Sequence, residues 1–265
     1  MLLILFIFFC LGLIIGSFLN VVIYRLNTKK TLGGRSGCMS CGYELRFYEL
    51  VPVLSFLGLK GRCSNCKGRI SLQYPLVEMT SGLIFAFLFL KFQSILPFSL
   101  GNFIIVYAYY ALIFSLLLVI TVYDIRHKII PDTLVFSVAL LSFIGLFFVV
   151  APGIRMPVFH IPGIYSILSG VIVALPFFLL WLISGGRWMG LGDAKLALGV
   201  GWLLGIEMAF SALTLAFWSG AIVGLALLAF SKRYGLKSEI PFAPYIVLGA
   251  FIVFMFNLHF FNFGL

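Results

Sequence analysis

Three aspartates stand in the whole chain, Asp124, Asp132 and Asp193, among only eight acidic residues. Each lies where an apolar run meets a polar segment, and an ionisable side chain at membrane depth is costly enough to point to function. Two carboxylates at one membrane face can hydrolyse a peptide. One draws a proton from water while its protonated partner donates to the substrate, and like charges held close favour a single shared proton. Asp124 and Asp193 are the expected catalytic pair. Asp124 falls at the C-terminal end of a helix and Asp193 in Gly190-Leu191-Gly192-Asp193 at the start of one. Helix dipoles then favour the proton on Asp124 and make Asp193 the base, although such a pair titrates as a unit. Asp193 has an alternative reading as a helix cap, but Gly190 and Gly192 remove side chains beside it, so that another backbone can approach. Asp132, after Pro131 and before an apolar run, reads as a cap. His127 reads as a solvated loop residue. Glu78 is either a helix-pairing residue or part of the active cavity, and Pro241-Phe242-Ala243-Pro244 is either a rigid helix start or part of a substrate groove.

A second chemistry sits in the loop 25–74, where Cys38-Met39-Ser40-Cys41 and Cys63-Ser64-Asn65-Cys66 repeat a C-x-x-C turn. Two such knuckles supply the four thiolates of a closed, structural Zn²⁺ site. Gly42 and Gly68 follow them, where tight turns tolerate positive φ. Two disulfides are the alternative, disfavoured if the loop faces a reducing compartment. Cys10, inside an apolar run, reads as a small apolar residue.

The elements that must position these groups are membrane helices. The chain is 63% apolar and 10% charged over 265 residues, against about 45–50% and about 25% in soluble domains. Apolar runs at 2–24, 75–90, 103–123, 133–150, 164–183, 194–206, 208–230 and 245–264 make about eight spans, at about 20 residues for each crossing. The expected fold is all-α, a polytopic membrane helix bundle carrying a cytoplasmic zinc-binding loop. With the N-terminus outside, sixteen of the 18 basic residues, including Lys29, Lys30, Lys232, Arg233 and Lys237, fall on the cytoplasmic side, and only Lys91 and Arg155 fall outside. The net charge of +10 is thereby a topology signal with some affinity for anionic lipid, and nucleic acid is not an expected partner. The first run has no basic residue before it and is expected to be a retained span rather than a cleaved signal. Gly12-x-x-x-Gly16, Gly201-x-x-x-Gly205 and Gly220-x-x-x-Gly224 are expected to serve helix packing.

Together these motifs place the chain close to one family. It resembles the type IV prepilin peptidases in Gly16-Ser17-Phe18-Leu19-Asn20-Val21-Val22-Ile23-Tyr24-Arg25, in the paired C-x-x-C turns, in Tyr74-Pro75-Leu76-Val77-Glu78, in Asp124 followed by Ile129-Ile130-Pro131-Asp132, and in Gly190-Leu191-Gly192-Asp193. The resemblance implies a bacterial inner-membrane aspartyl endopeptidase that cuts a short basic leader from prepilins and pseudopilins after a glycine, at the cytoplasmic face. It implies Asp124 and Asp193 as catalytic residues, with Gly190, Gly192 and Glu78 in support. It further implies N-methylation of the new N-terminal residue with S-adenosylmethionine as donor. No Gly-rich cofactor fingerprint marks a site for that donor. Leu26-Asn27 and Arg126 depart from the family pattern without touching the aspartates or cysteines.

On this reading residues 1–24 form the first span, 25–74 the four-cysteine loop with the methyltransferase part, and 75–265 the peptidase bundle. A presenilin-like intramembrane protease shares the Tyr-Asp and Gly-Leu-Gly-Asp look but lacks the cysteine loop. A proton-coupled transporter would show internal repeats and acids nearer mid-membrane.

Overall fold

The computed structural model describes all residues except 29, 30, 32, 150–157, 231–234, 236–238 and the last two. Lys29, Lys30, Arg155, Lys232, Arg233 and Lys237, used above for topology, lie outside the described residues. Among the described residues the fold is all-helical apart from a two-stranded antiparallel ladder, β1 (Phe148–Val149) with β2 (Val158–Phe159). The long helices are α1 (Leu2–Arg25), α3 (Gln73–Phe92), α4 (Leu100–His127), α5 (Asp132–Gly145), α6 (Ile164–Ser184), α7 (Leu191–Leu204), α8 (Ile206–Phe230) and α9 (Ala243–Phe256), with a one-turn α2 (Leu54–Gly58) in the polar loop. Each of the eight apolar runs thus contains a helix. Five of them, α1, α3 with its 3₁₀ extension, α4, α6 and α8, are long and apolar enough to cross a membrane.

The other three have 14 residues each, about 21 Å at 1.5 Å per residue, short of a hydrocarbon core of about 30 Å. Their runs continue past the helix ends. The run 133–150 leaves helix after Gly145 and enters β1, and the run 245–264 stops at Asn257, which turns left-handed at φ 49°. Large apolar side chains such as Phe6, Ile14, Ile222 and Leu225 are exposed on the long helices, as expected where lipid is the solvent. The protein is a multi-pass membrane protein.

Two compact units partition the chain, the first with residues 1–94 and 107–119, the second with 95–106 and 120–265. In the first unit α1 packs on α3 through glycine. A Cβ on Gly12 would lie 2.7 Å from Phe85 Cβ, and one on Gly16 would lie 2.7 Å from Glu78 Cα, so both positions need the bare backbone. Asn20 Nδ2 donates to the Tyr74 carbonyl at 3.1 Å and Tyr24 stacks on Tyr74 at 5.1 Å, tying the same two helices together at their other end.

In the second unit α7 packs on α6 the same way. A Cβ on Gly201 would lie 2.7 Å from Gly170 Cα, and Ser169 Oγ donates to the Gly201 carbonyl at 3.0 Å. Gly205 does no packing; it ends α7 at φ 77° with open space around it. A Cβ on Gly220 would touch Tyr245 of α9 at 3.3 Å, and one on Gly224 would touch Ile240 at 3.5 Å.

Candidate active site and candidate metal centre

The helices of the second unit stop and start where the aspartates lie. α4 ends because Lys128 adopts a left-handed conformation, φ 54°, and its N–H closes on the Asp124 carbonyl at 2.7 Å. Asp124 therefore sits in the last full turn, and its side chain is buried at 4% exposure. α7 starts from Gly190 as N-cap, which places Asp193 at the third helical position, 9% exposed. There its carboxylate is hydrogen-bonded by the Gly190 backbone, the acid's half of a capping box. Asp124 and Asp193 come close enough for their charges to act on one another directly. Two carboxylates, 69 positions apart and drawn from two helices, are thus both buried and within electrostatic reach of one another.

A third helix joins them. The first N–H of α9, on Ala243, donates to Asp124 Oδ2 at 3.2 Å. Pro244 follows it in the first turn of the helix, a placement proline favours. The Pro241–Pro244 segment is therefore a helix start, and its terminal N–H, which has no partner within the helix, serves the carboxylate. This alters the dipole argument. Asp124 lies at the negative end of α4, but it also meets the positive end of α9, so the dipoles no longer separate the two aspartates into acid and base.

Gly190 and Gly192 act differently from one another. A Cβ on Gly192 would lie 2.9 Å from Ile130 Cβ, so it is the Ile130 side chain, not another backbone, that fills this space. A Cβ on Gly190 would meet Asp193 Oδ2 at an ordinary 3.7 Å. Asp132 is not a cap: Pro131 is the N-cap of α5 without a side-chain bond, and Asp132 Oδ1 instead accepts from Lys195 Nζ at 2.7 Å. Proline's fixed backbone starts the helix one residue earlier, which moves Asp132 into the first turn and frees its carboxylate for α7. His127 is exposed and packs on Tyr123 of its own helix at 4.4 Å between rings.

The cysteines gather in the first unit. The two knuckles have the same hydrogen bonds: Cys38 N to Tyr43 O (2.9 Å) and Gly42 N to Cys38 O (2.9 Å) in one, Cys63 N to Gly68 O (2.9 Å) and Lys67 N to Cys63 O (3.1 Å) in the other. Isolated bridges close both, Gly37 with Glu44 and Arg62 with Arg69. The left-handed residue is Gly42 (φ 71°) in the first turn but Lys67 (φ 58°), not Gly68, in the second. All four sulfurs lie within 4.8 Å of one another, with Cys38 Sγ 3.8 Å from Cys66 Sγ, and none is in a disulfide. A tetrahedral Zn²⁺ with bonds of about 2.3 Å needs sulfurs about 3.8 Å apart, so this set can hold a metal.

Backbone N–H groups prepare the site for it. The Ser40 N–H, chief among several, brings the Cys38 thiol down to about 6 despite some desolvation. At Cys66 the Gly68 N–H works the same way, but hydrogen bonds with neighbouring thiols and burial outweigh it and hold that thiol up at about 11.

Glu78 belongs to this unit. Its Oε2 accepts from the Val53 N–H at 2.8 Å, and Ser17 hydrogen-bonds to the same carboxylate. Val53 itself is strained, a β-branched residue at φ 59°.

Two buried aspartates at helix ends and a four-thiol cluster define the class: a multi-pass membrane protein with carboxylates placed for chemistry and cysteines placed for a metal. Comparison with known proteins narrows it. Residues 10–92 match the Bacterial Peptidase A24 N-terminal domain and residues 111–225 match the Type IV leader peptidase family. The chain is 30% identical to a prepilin leader peptidase/N-methyltransferase of Pseudomonas aeruginosa, covering 91% of this chain and 87% of that one. It is 31% identical to one of Pseudomonas putida over the same shares, and 30% identical to one of Bacillus subtilis over 95% and 94%. No solved structure matches. The chain belongs to the type IV leader peptidase family.

Proposed function

We propose that this protein is an aspartyl endopeptidase of the bacterial cytoplasmic membrane. It removes the short basic leader from type IV prepilins and pseudopilins after a glycine, then N-methylates the exposed residue with S-adenosylmethionine. The observation that carries the reading is the buried Asp124–Asp193 pair, supported by relatives whose names join both activities. The basic residues along the sequence support a topology with the N-terminus outside and the active site on the cytoplasmic side. A leader that stays in the cytoplasm, on a stem that lies in the bilayer, is cut where these aspartates are.

In the hydrolysis one aspartate, ionised, takes a proton from water as the oxygen bonds to the scissile carbonyl carbon. Its protonated partner gives its proton to the carbonyl oxygen. The resulting diol collapses, the C–N bond breaks, and the amine leaves with a proton from the pair. The Ala243 N–H engages Asp124 Oδ2 and so orients the carboxyl group that holds or releases that proton. Gly192 lets α7 seat against Ile130, and Gly190 holds the Asp193 carboxylate. Cys38, Cys41, Cys63 and Cys66 hold a structural Zn²⁺ that fixes the knuckles. S-Adenosylmethionine, when bound, would supply an electrophilic methyl group to the pilin amine, with S-adenosylhomocysteine and a proton as the other products.

Co-expression with a prepilin tests this, leader removal being scored by gel shift and the new N-terminus by mass. Wild type removes the leader and adds one methyl group, whereas Asp124→Asn and Asp193→Asn each leave the leader on. An Asp124→Asn protein that keeps most of its activity refutes the two-carboxylate mechanism.

A further inference from the structure

The first unit encloses a cavity of about 370 Å³ that the peptidase chemistry does not use. Its volume falls within the range of small-molecule sites, about 300–1,000 Å³. The cysteine knuckles wall one side of it through Cys38, Ser40, Cys63 and Gly68, and the ends of α1 and α3 wall the other. Resting on the methyltransferase activity proposed above, we infer that this cavity is the binding site of the methyl donor, with Glu78 and Asn20 as the groups that recognise it.

The polar lining sets buried acceptors beside two guanidinium groups, Arg25 and Arg69. Asn20 is 1% exposed; its Nδ2 bonds the Gly16 and Tyr74 carbonyls, while its Oδ1 has no protein donor. A buried acceptor in that condition costs free energy until a ligand brings an N–H to it. Glu78, 7% exposed, has its carboxylate fixed by the Val53 N–H and by Ser17. A carboxylate offers about four lone-pair sites, so two bonds orient it and leave room for a ligand donor. The strained Val53 is kept in place by this same bond, the kind of stored strain that gathers at ligand sites. A second buried acid, Glu49, lines the cavity too.

A ligand for this lining must bring N–H donors and positive charge to Asn20 and Glu78, an anionic group to Arg25 and Arg69, and a flat apolar body to set against Tyr24, Tyr74 and Phe56. S-Adenosylmethionine has a sulfonium, an ammonium, a carboxylate, an exocyclic amine and a purine. The site also gives the metal a function. Two of the four cysteines line the cavity, so the ion that clamps the knuckles shapes the wall of the donor site.

The test uses the full-length protein in nanodiscs, with S-adenosylhomocysteine as probe. Calorimetry gives its affinity, and hydrogen exchange with and without it maps the contact on the wild type. Binding is expected to slow exchange in residues 46–59 and 71–78, and Glu78→Gln is expected to weaken affinity at least tenfold. Slowing confined to residues 120–265, slowing nowhere despite measured binding, or an unchanged affinity in Glu78→Gln overturns the assignment while methylation of co-expressed pilin stands. Failure of the methyltransferase reading looks different: wild type then binds no S-adenosylhomocysteine and leaves the pilin amine unmethylated.

Discussion

The two glycines of Gly190-Leu191-Gly192-Asp193 should respond in opposite ways to one added methyl group. At Gly192 the new Cβ would lie 2.9 Å from Ile130 Cβ, 3.2 Å from its Cδ1 and 3.3 Å from its Cγ1. Rotation about χ1 of Ile130 moves the outer two atoms but not Cβ, which the backbone fixes. To reach an ordinary contact, α7 must retreat from the Ile130–Pro131 segment by roughly 0.5–1 Å, at an overpacking cost of about 1–3 kcal/mol. Alanine's better helix propensity returns up to about 1 kcal/mol, so the net loss of stability is about 0–3 kcal/mol. The larger effect is on geometry. Asp193 is the next residue, and misplacing a catalytic group by about 1 Å can cost about 100-fold in rate. At Gly190 the backbone is extended, φ −74° and ψ 148°, and the Cβ meets Asp193 Oδ2 at an ordinary 3.7 Å. Gly192→Ala should therefore lower kcat for leader removal about 100-fold with a small change in KM, and Gly190→Ala should stay within severalfold of wild type. Purified enzyme and prepilin in detergent, sampled over time on gels, give both constants, and thermal unfolding gives the stability. Equal losses in the two variants, or Gly192→Ala at the wild-type rate, would refute the reasoning.

Gly16→Ala should cost about 1–3 kcal/mol, because its Cβ would lie 2.7 Å from the Glu78 Cα; thermal unfolding in detergent measures this, and an unchanged midpoint contradicts the α1–α3 packing. Lys195→Met breaks a half-exposed pair with Asp132 and should cost no more than about 1 kcal/mol. A much larger loss would show that the pair fixes the start of α7. Metal content by mass spectrometry should be one zinc per chain at neutral pH and should fall on acidification, not on alkalinisation. Metal binding displaces protons from thiols, and Cys38, lowered to about 6, keeps its thiolate above that pH and is protonated below it. Cys63→Ser should lose the metal and Cys10→Ser should keep it.

What could be read from the sequence was whatever is written in local spacing. Hydropathy marks helices because lipid forces every backbone group to bond within its own segment, and each of the eight runs contains one. It does not mark where they stop. Gly145 and Asn257 end α5 and α9 inside apolar stretches, since helix ends depend on backbone turns that hydropathy ignores. The C-x-x-C spacing foretells the knuckles because three residues fix a turn's geometry. Even so, the left-handed position in the second turn goes to Lys67, a residue type that gives no sign of it.

The site divides along the same line. The aspartates are visible because carboxylates are rare in this chain, and the glycines because they stand beside one. Their partners are invisible for a physical reason. The Ala243 N–H on Asp124 and the Val53 N–H on Glu78 are backbone groups, present at every non-proline position and therefore identified by no residue type. Lys195 with Asp132 is a side-chain pair, but it joins positions 63 apart that only the packing of α5 on α7 brings together. Pro244 came nearest to a signal. A proline in the first turn says that a helix starts here and that its leading N–H groups lack internal partners, and a buried carboxylate elsewhere needs such donors. Combined, those two facts narrow the search for the partner of a buried acid to the few helix starts in the chain, which is where both Asp124 and Asp193 find theirs.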